Sequence, residues 1–460
     1  MDQYDQDILL PAHYATLTAF WESALERTGY CAILLSAGQQ RFFFHDDQGP
    51  AFRPNPLLVQ WLAQEKISEN SWFVFSQGAK PTLLFHQPDD FWHAATVAPH
   101  QLKDHLTLKV FSDLPALHAA LDKHLKQIRE RQQKIAQISE DAPPAAAGCV
   151  INPANVIHAL HFQRACKTEY ELAIMRNASL RGAKGHKAAQ RAFSEGASEF
   201  AIHLSFLEAT GMNEWQLPYA NIIAQNQHAS LLHYQYQDRE VGKHLNSLLI
   251  DAGANVDGYA SDITRTYIGP RCYSQEAADL FSELLARMQT HQDALIDRVV
   301  PGANYVDLQA AMHQSLAAML VDTGILKCGP EEAFTKELTV PFCPHGLGHL
   351  LGIQVHDVGG QQLDIDGHTQ SPPEPYASLR LTRPLAQDMV ITVEPGLYFI
   401  PMLLEKKQAE GAPIDWSLVN LLSPFGGIRI EDNVRILPAG AGVENLTRDA
   451  FAKISASAAP

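Results

Sequence analysis

The sequence predicts an α+β protein of two domains, and three observations carry that reading. Short β-rich pieces lead the chain, and strand-like and helix-like segments alternate in its later part. A Pro/Ala-rich break, "EDAPPAAAG" at residues 140–148, stands between the two regions. No repeat of fixed period runs through either. The expected domains are therefore a smaller one over 1–150 and a larger one over 160–460.

Taken in order, "YCAILLSAGQQRFFFHDD" and "SWFVFSQGAKPTLLFHQP" each read as strand, Gly-containing turn, strand. "LPALHAALDKHLKQIRERQQKIAQI" has helical spacing and a charged outer face. Its bases are interleaved with acids and glutamines, which marks a solvated face and not a binding patch. After the break, Thr168 stands three before Glu171, a capping-box spacing that opens a long amphipathic helix. Strands are expected in "HLNSLLIDAGA", "YASDITRTYIG", "DMVITVEPGLYF" and "GGIRIEDNVRIL". "SQEAADLFSELLARMQTHQDALIDRVV" and "YVDLQAAMHQSLAAMLVDTG" read as helices. "DIDGHTQSPPEP" reads as an ordinary turn, because the remaining ligand spacing of a calcium loop is absent.

Composition excludes several classes. A length of 460 residues with 46% apolar content supports large cores, and a net charge of -16 disfavours nucleic acid or an anionic membrane as partner. The first twenty residues open with acids and lack a basic region ahead of an apolar core, so no signal peptide is expected. No apolar run approaches the ~18 residues of a membrane span. Six cysteines without a CxxC pair suit thiols in a reducing cytoplasm.

The chemistry concentrates in "PFCPHGLGHLLGIQVHD", residues 341–357, which holds His345, His349 and His356. His345 and His349 are four apart, as in a metalloprotease helix, yet Gly346 stands where that motif has its glutamate. Acids must come from elsewhere. Asp251 and Asp262 flank the turn Asp257-Gly258, so a hairpin brings them close across the ladder. Like charges so placed disfavour a sheet unless a cation lies between them. Glu394 and Glu431 lie in apolar, strand-like runs, where an unpaired carboxylate is costly. Arg429, two before Glu431, shares its strand face and is one available partner. Four carboxylates with one imidazole form a hard, oxygen-rich set. It suits two divalent cations such as manganese, cobalt or zinc, bridged by carboxylates and a hydroxide. Spacing alone leaves open whether these segments meet.

"DAGANVDGYASDITRTY", "HGLGHLLGIQVHD", "VEPGLYF" and "GIRIEDNV", with "KTEYEL" and "LLHY", occur in the order seen in the pita-bread metallopeptidases, which the chain resembles over about residues 160–437. Through "FHDDQGPAFRPNP" the amino-terminal part is similar to the bacterial prolidase branch, which includes the organophosphorus acid anhydrolases. The resemblance implies a creatinase-like α/β domain followed by a pita-bread catalytic domain. It implies metal ligands at Asp251, Asp262, His349, Glu394 and Glu431, with Asp262 and Glu431 bridging two cations, manganese first among them. It places His345, His356 and His233 around the substrate, with Glu394 moving the proton. Arg380 matches an arginine that receives the substrate's terminal carboxylate, and Tyr219 one that lines the small substrate pocket. Arg429, grouped with these, matches the arginine that braces the second bridging glutamate.

The implied activity is hydrolysis of Xaa-Pro dipeptides, whose scissile amide nitrogen carries no hydrogen. Attack on organophosphate triesters is the implied side activity. The alternative is removal of an amino-terminal residue ahead of proline from longer peptides, as aminopeptidase P does. A homodimer is also implied, with a role for Asp46 or Asp47 of the partner subunit.

Overall fold

A computed structural model describes residues 3–63, 66–94, 96–129, 134–140 and 148–457. The chain divides into two compact units. One comprises Met1–Arg164, Thr168–Ile174 and Asp364–His368, the other Ala165–Lys167, Met175–Leu363 and Thr369–Pro460. The break expected to divide two domains lies, over residues 141–147, outside the described residues.

The first unit is built on a six-stranded mixed sheet. Its spatial order is Thr107–Phe111, Thr82–His86, Trp72–Ser76, Tyr30–Ser36, Lys134–Ile138 and Cys149–Ile151. Strand alternation sorts its apolar residues between two faces. Ala32 and Leu34 pack with Leu117, Leu121 and Leu125 of the helix Leu114–Arg129. On the aromatic side, Trp21 of the helix Gln3–Thr28 meets Phe73 and Phe75 edge-on.

Two local expectations change here. "RFFFHDD" is not a strand: Phe43 N–H donates to Gln48 O, His45 has a φ of 55°, and Phe42, Phe43 and Phe44 are exposed. Both edges of Tyr30–Ser36 are already taken, by Trp72–Ser76 and Lys134–Ile138. A β-rich composition finds no ladder to join. "KIAQI", read as the end of a helix, is the parallel strand Lys134–Ile138, buried from Ile135 onward. The hairpin Trp72–Ser76/Thr82–His86 and the Thr168/Glu171 capping box form as expected.

In the second unit the helix Gln275–Ile296 buries Phe281, Leu284, Met288 and Leu295. That three-and-four spacing lays one face against Leu308, Met312 and Leu316 of Tyr305–Asp322. Leu245–Asp251 lies centrally between Ile222–Gln225 and Thr264–Arg271. Val390–Val393 pairs with Asp432–Ile436, and Gly396–Tyr398 with Gly427–Arg429. Glu394 and Glu431 stand in the gaps between these ladders, not inside continuous strands. Among the described residues no helix is long and apolar enough to cross a membrane.

Candidate metal centre

Asp251 is the last residue of its strand and pairs in register with Thr264. Beyond it the chain forms a small hairpin, Asn255–Val256 with Tyr259–Ala260. Asp257 and Gly258 have φ of 51° and 94°, the two positive values that a type I′ turn requires. The return leg delivers Asp262 beside Asp251. The Tyr219 hydroxyl lies 2.8 Å from Asp251 Oδ1 and 2.5 Å from Asp262 Oδ1. The sequence expectation that this turn joins the two aspartates holds.

Glu431 is bridged to Thr264 through the backbone, and Thr264 Oγ1 donates to Glu431 Oε2 at 2.7 Å. His349 lies along the other ladder: its N–H donates to Thr392 Oγ1 at 3.1 Å, and Thr392 N–H donates to His349 O at 2.9 Å. Gly348 permits this approach, since a Cβ there would lie 2.1 Å from Thr392 O. The segment from His345 to His349 is irregular backbone, so their four-residue spacing marks no shared helix face.

The ring of His349 is oriented by Nδ1–H donating to Leu350 O at 2.9 Å. Its Nε2 therefore aims an open lone pair at Asp262 Oδ2, 3.5 Å away, and Glu394 Oε1, 3.6 Å away. Ligand atoms of Asp262, His349 and Glu431 all lie within 4.8 Å of one another. Acceptors exceed protons here, because one tyrosine hydroxyl faces Asp251 and Asp262 and an imidazole lone pair faces Asp262 and Glu394. Burial, reinforced by Asp262 and Asp251, pushes the Glu394 carboxyl up to about 7. Burial and the surrounding acids push Glu431 well above the usual carboxylate range. Asp262 and Glu394 outweigh burial at His349 and raise its imidazole. Every one of these shifts asks for positive charge at the centre. Hard oxygen donors and one imidazole are the chemistry that suits divalent cations.

A second acidic group, Glu199, His228 and Asp238, has no such opening. Glu199 Oε1 already accepts from Gln225 N–H and His228 Nδ1, and Oε2 from Tyr234 O–H and Asp238 N–H. Its lone pairs are engaged, so it is a structural anchor.

The charge of Arg429 acts on Glu431, while its direct hydrogen bonds go elsewhere. Its guanidinium donates to Asp251 Oδ2 at 2.7 Å, Thr264 Oγ1 at 3.2 Å and Tyr398 Oη at 2.8 Å, and its hydrogen-bond path to Glu431 runs through Thr264. The strand breaks between Arg429 and Glu431, which removes the two-residue periodicity that paired them. His345 accepts from Tyr398 O–H at Nε2 (2.8 Å), donates from Nδ1 to Gly346 O, and lies 3.8 Å from Glu394. Burial, aided by Arg429, lowers its imidazole to about 3. His356 is exposed and packs edge-on against His349 at 4.5 Å between ring centres. Partial burial, then the charges of His349 and Arg380, lower it to about 4. Arg380 and His233 are exposed and lie near enough to His356 to act on it electrostatically. Asp46 and Asp47 are exposed in a turn of the first unit. Thr264, Thr392 and Tyr398 were not singled out from the sequence. Thr264 alone had a local signal, standing two after Asp262 in the same strand-like run.

Comparison with known proteins places this geometry. Residues 173–438 match metallopeptidase family M24, and residues 8–162 match the Xaa-Pro dipeptidase N-terminal domain. The chain belongs to family M24. A Stenotrophomonas maltophilia (strain K279a) protein called Xaa-Pro dipeptidase is 39% identical over 98% of this chain and 99% of its own. A Xanthomonas campestris pv. campestris (strain B100) protein of the same description is 39% identical over 98% and 100%. The solved structure of Pseudomonas aeruginosa aminopeptidase PepP superposes with a TM-score of 0.72. It covers 96% of this chain and 97% of its own, at 22% identity, and shares the fold. The pita-bread expectation for the larger unit holds. M24 membership implies divalent metal ions, and the centre described above fits them.

Proposed function

We propose that this M24 protein hydrolyses Xaa-Pro dipeptides. The observation that carries the reading is the convergence of Asp251, Asp262, His349, Glu394 and Glu431 on one buried, proton-poor centre. The substrate class is supported by the description shared by the relatives that match nearly the whole chain. These five side chains would hold two divalent cations, manganese first. Bound there, the cations would supply a Lewis acid and a water acidified to near neutrality.

The chain's own residues divide the remaining work. Glu394 takes a proton from the attacking water and passes it to the proline nitrogen as the C–N bond breaks. His356 and His233 face the carbonyl oxygen where negative charge develops. His345, kept neutral with Nδ1 3.8 Å from Glu394, steadies that carboxyl. Arg380 pairs with the dipeptide's free carboxylate, and Tyr219 lines the pocket while orienting both aspartates. Arg429 braces Asp251. The same groups suit attack on an organophosphate triester with a good leaving group.

We further read the molecule as a cytoplasmic homodimer. Phe42, Phe43, Phe44, Phe91 and Trp92 are exposed in the first unit, apolar surface of the kind a second copy covers. Rates on Gly-Pro and Gly-Pro-Ala after reconstitution with manganese, cobalt or zinc test the activity. Preference for Gly-Pro supports the dipeptidase. Faster cleavage of the tripeptide assigns the aminopeptidase P reaction instead.

A further inference from the structure

Gln292 is wholly buried on the helix Gln275–Ile296. Its side-chain amide donates from Nε2 to two backbone carbonyls, Val393 O at 2.9 Å and Ile430 O at 3.1 Å. Those carbonyls belong to the residues immediately before Glu394 and Glu431. Its Oε1 accepts from Arg448 Nη2 at 2.9 Å. The amide can stand only this way round, because carbonyls only accept and a guanidinium only donates.

The place it holds is a weak point of the sheet. One ladder ends at the pair Val393 and Asp432, and the next begins at Gly396 and Arg429. Between them lie Glu394-Pro395 on one strand and Ile430-Glu431 on the other, and Pro395 has no N–H to offer a ladder. Across it Ile430 N–H reaches Pro395 O only at 3.4 Å, and the Gln292 amide spans the gap from behind. Arg448 extends the support, since its Nε donates to Asp432 Oδ2 at 2.7 Å, and Asp432 also accepts from Arg265 at 2.7 Å and Asn445 at 2.8 Å.

We propose that Gln292 is a positioning residue that sets the separation of Glu394 and Glu431, and through it the affinity of the centre for divalent cations. The proposal rests on the metal-centre reading above. It adds a determinant that touches neither metal nor substrate.

The test is titration of metal-stripped protein with manganese(II), with bound metal read by equilibrium dialysis and elemental analysis. Gln292→Met removes both donors at similar volume. Gln292→Glu keeps the shape but offers one O–H at most. Both variants should bind manganese about 10–100-fold more weakly than the parent, with an unchanged near-ultraviolet circular dichroism spectrum. A purely structural role would lower the unfolding midpoint of the metal-free protein and leave the manganese affinity alone. Parent-like affinity in either folded variant overturns the proposal while the metal-centre reading stands. A parent protein that takes up no manganese overturns both. If Gln292→Met does not fold, Gln292→Glu decides.

Discussion

At His349, the hydrogen bond from Nδ1 to Leu350 O decides what Nε2 can do. With the proton committed to the backbone, the open nitrogen faces only carboxylates. His349→Ala should therefore lose bound metal and activity together, as elemental analysis and a Gly-Pro assay would show. A variant keeping its full metal content would refute the ligand assignment. Arg380 is exposed and not locked into the core, as suits a group that meets a substrate carboxylate. Arg380→Ala should lower kcat/KM on Gly-Pro roughly tenfold or more, the worth of a charge-assisted hydrogen bond. The loss on Gly-Pro-Ala should be much smaller, and equal losses would remove the assignment. His228 permits a pH prediction. Its hydrogen bond to Glu199, with the charges of Glu199 and Asp238, raises its pKa above 6.5 against partial burial. A raised folded pKa stabilises fully below the unfolded value and fades as pH rises through the folded one. His228→Gln should thus depress the unfolding midpoint more at about pH 5.5 than at about pH 8.5. A gap that widens in alkali contradicts the pairing.

Among the elements, the segment through His349 depends on backbone approaching backbone. A methyl group at Gly348 would press on Thr392 O and on the Tyr305 hydroxyl, 2.5 Å from the added carbon. Gly348→Ala must shift the strand Val390–Val393, which ends one residue before Glu394. Overpacking of this kind costs about 1–3 kcal/mol, and here it also displaces Glu394. Chemical denaturation should show that loss, with activity falling further than stability accounts for. An active variant of parental stability would mean that the strand has slack. The hairpin at Asp257-Gly258 plays the complementary part, because its two positive φ values turn the chain back so that Asp262 returns beside Asp251.

For the whole molecule, the proposed metal centre would be a stability term as well as a reactive one. Without cations, four carboxylates crowd one another, and burial with the neighbouring acids pushes the Glu394 carboxyl up to about 7. A ligand that binds only the folded state adds stability by mass action, ~2.7 kcal/mol at a hundred times its Kd. Chelation should therefore lower the unfolding midpoint by calorimetry, and manganese should restore it where sodium does not. Identical midpoints with and without chelator would argue against a centre coupled to the fold.

Much of the outcome was legible in local signals. Apolar runs located the strand that ends at Asp251 and the strands that flank Glu394 and Glu431, a turn dipeptide paired Asp251 with Asp262, and a capping box opened the long helix at Thr168. Each depends on neighbours within a few residues, which is the range over which propensity and periodicity act. Partners chosen at long range were not legible. Arg429 bonds Asp251, 178 residues away, in place of its near neighbour Glu431. Gln292 reaches carbonyls 101 and 138 residues distant. "RFFFHDD" became a loop because other strands had filled both edges beside it. The sequence by itself determined which acids and imidazoles are present and on what kind of segment. Only the tertiary structure decided which lone pairs were left open, because that depends on which donors the rest of the fold brings within hydrogen-bond reach.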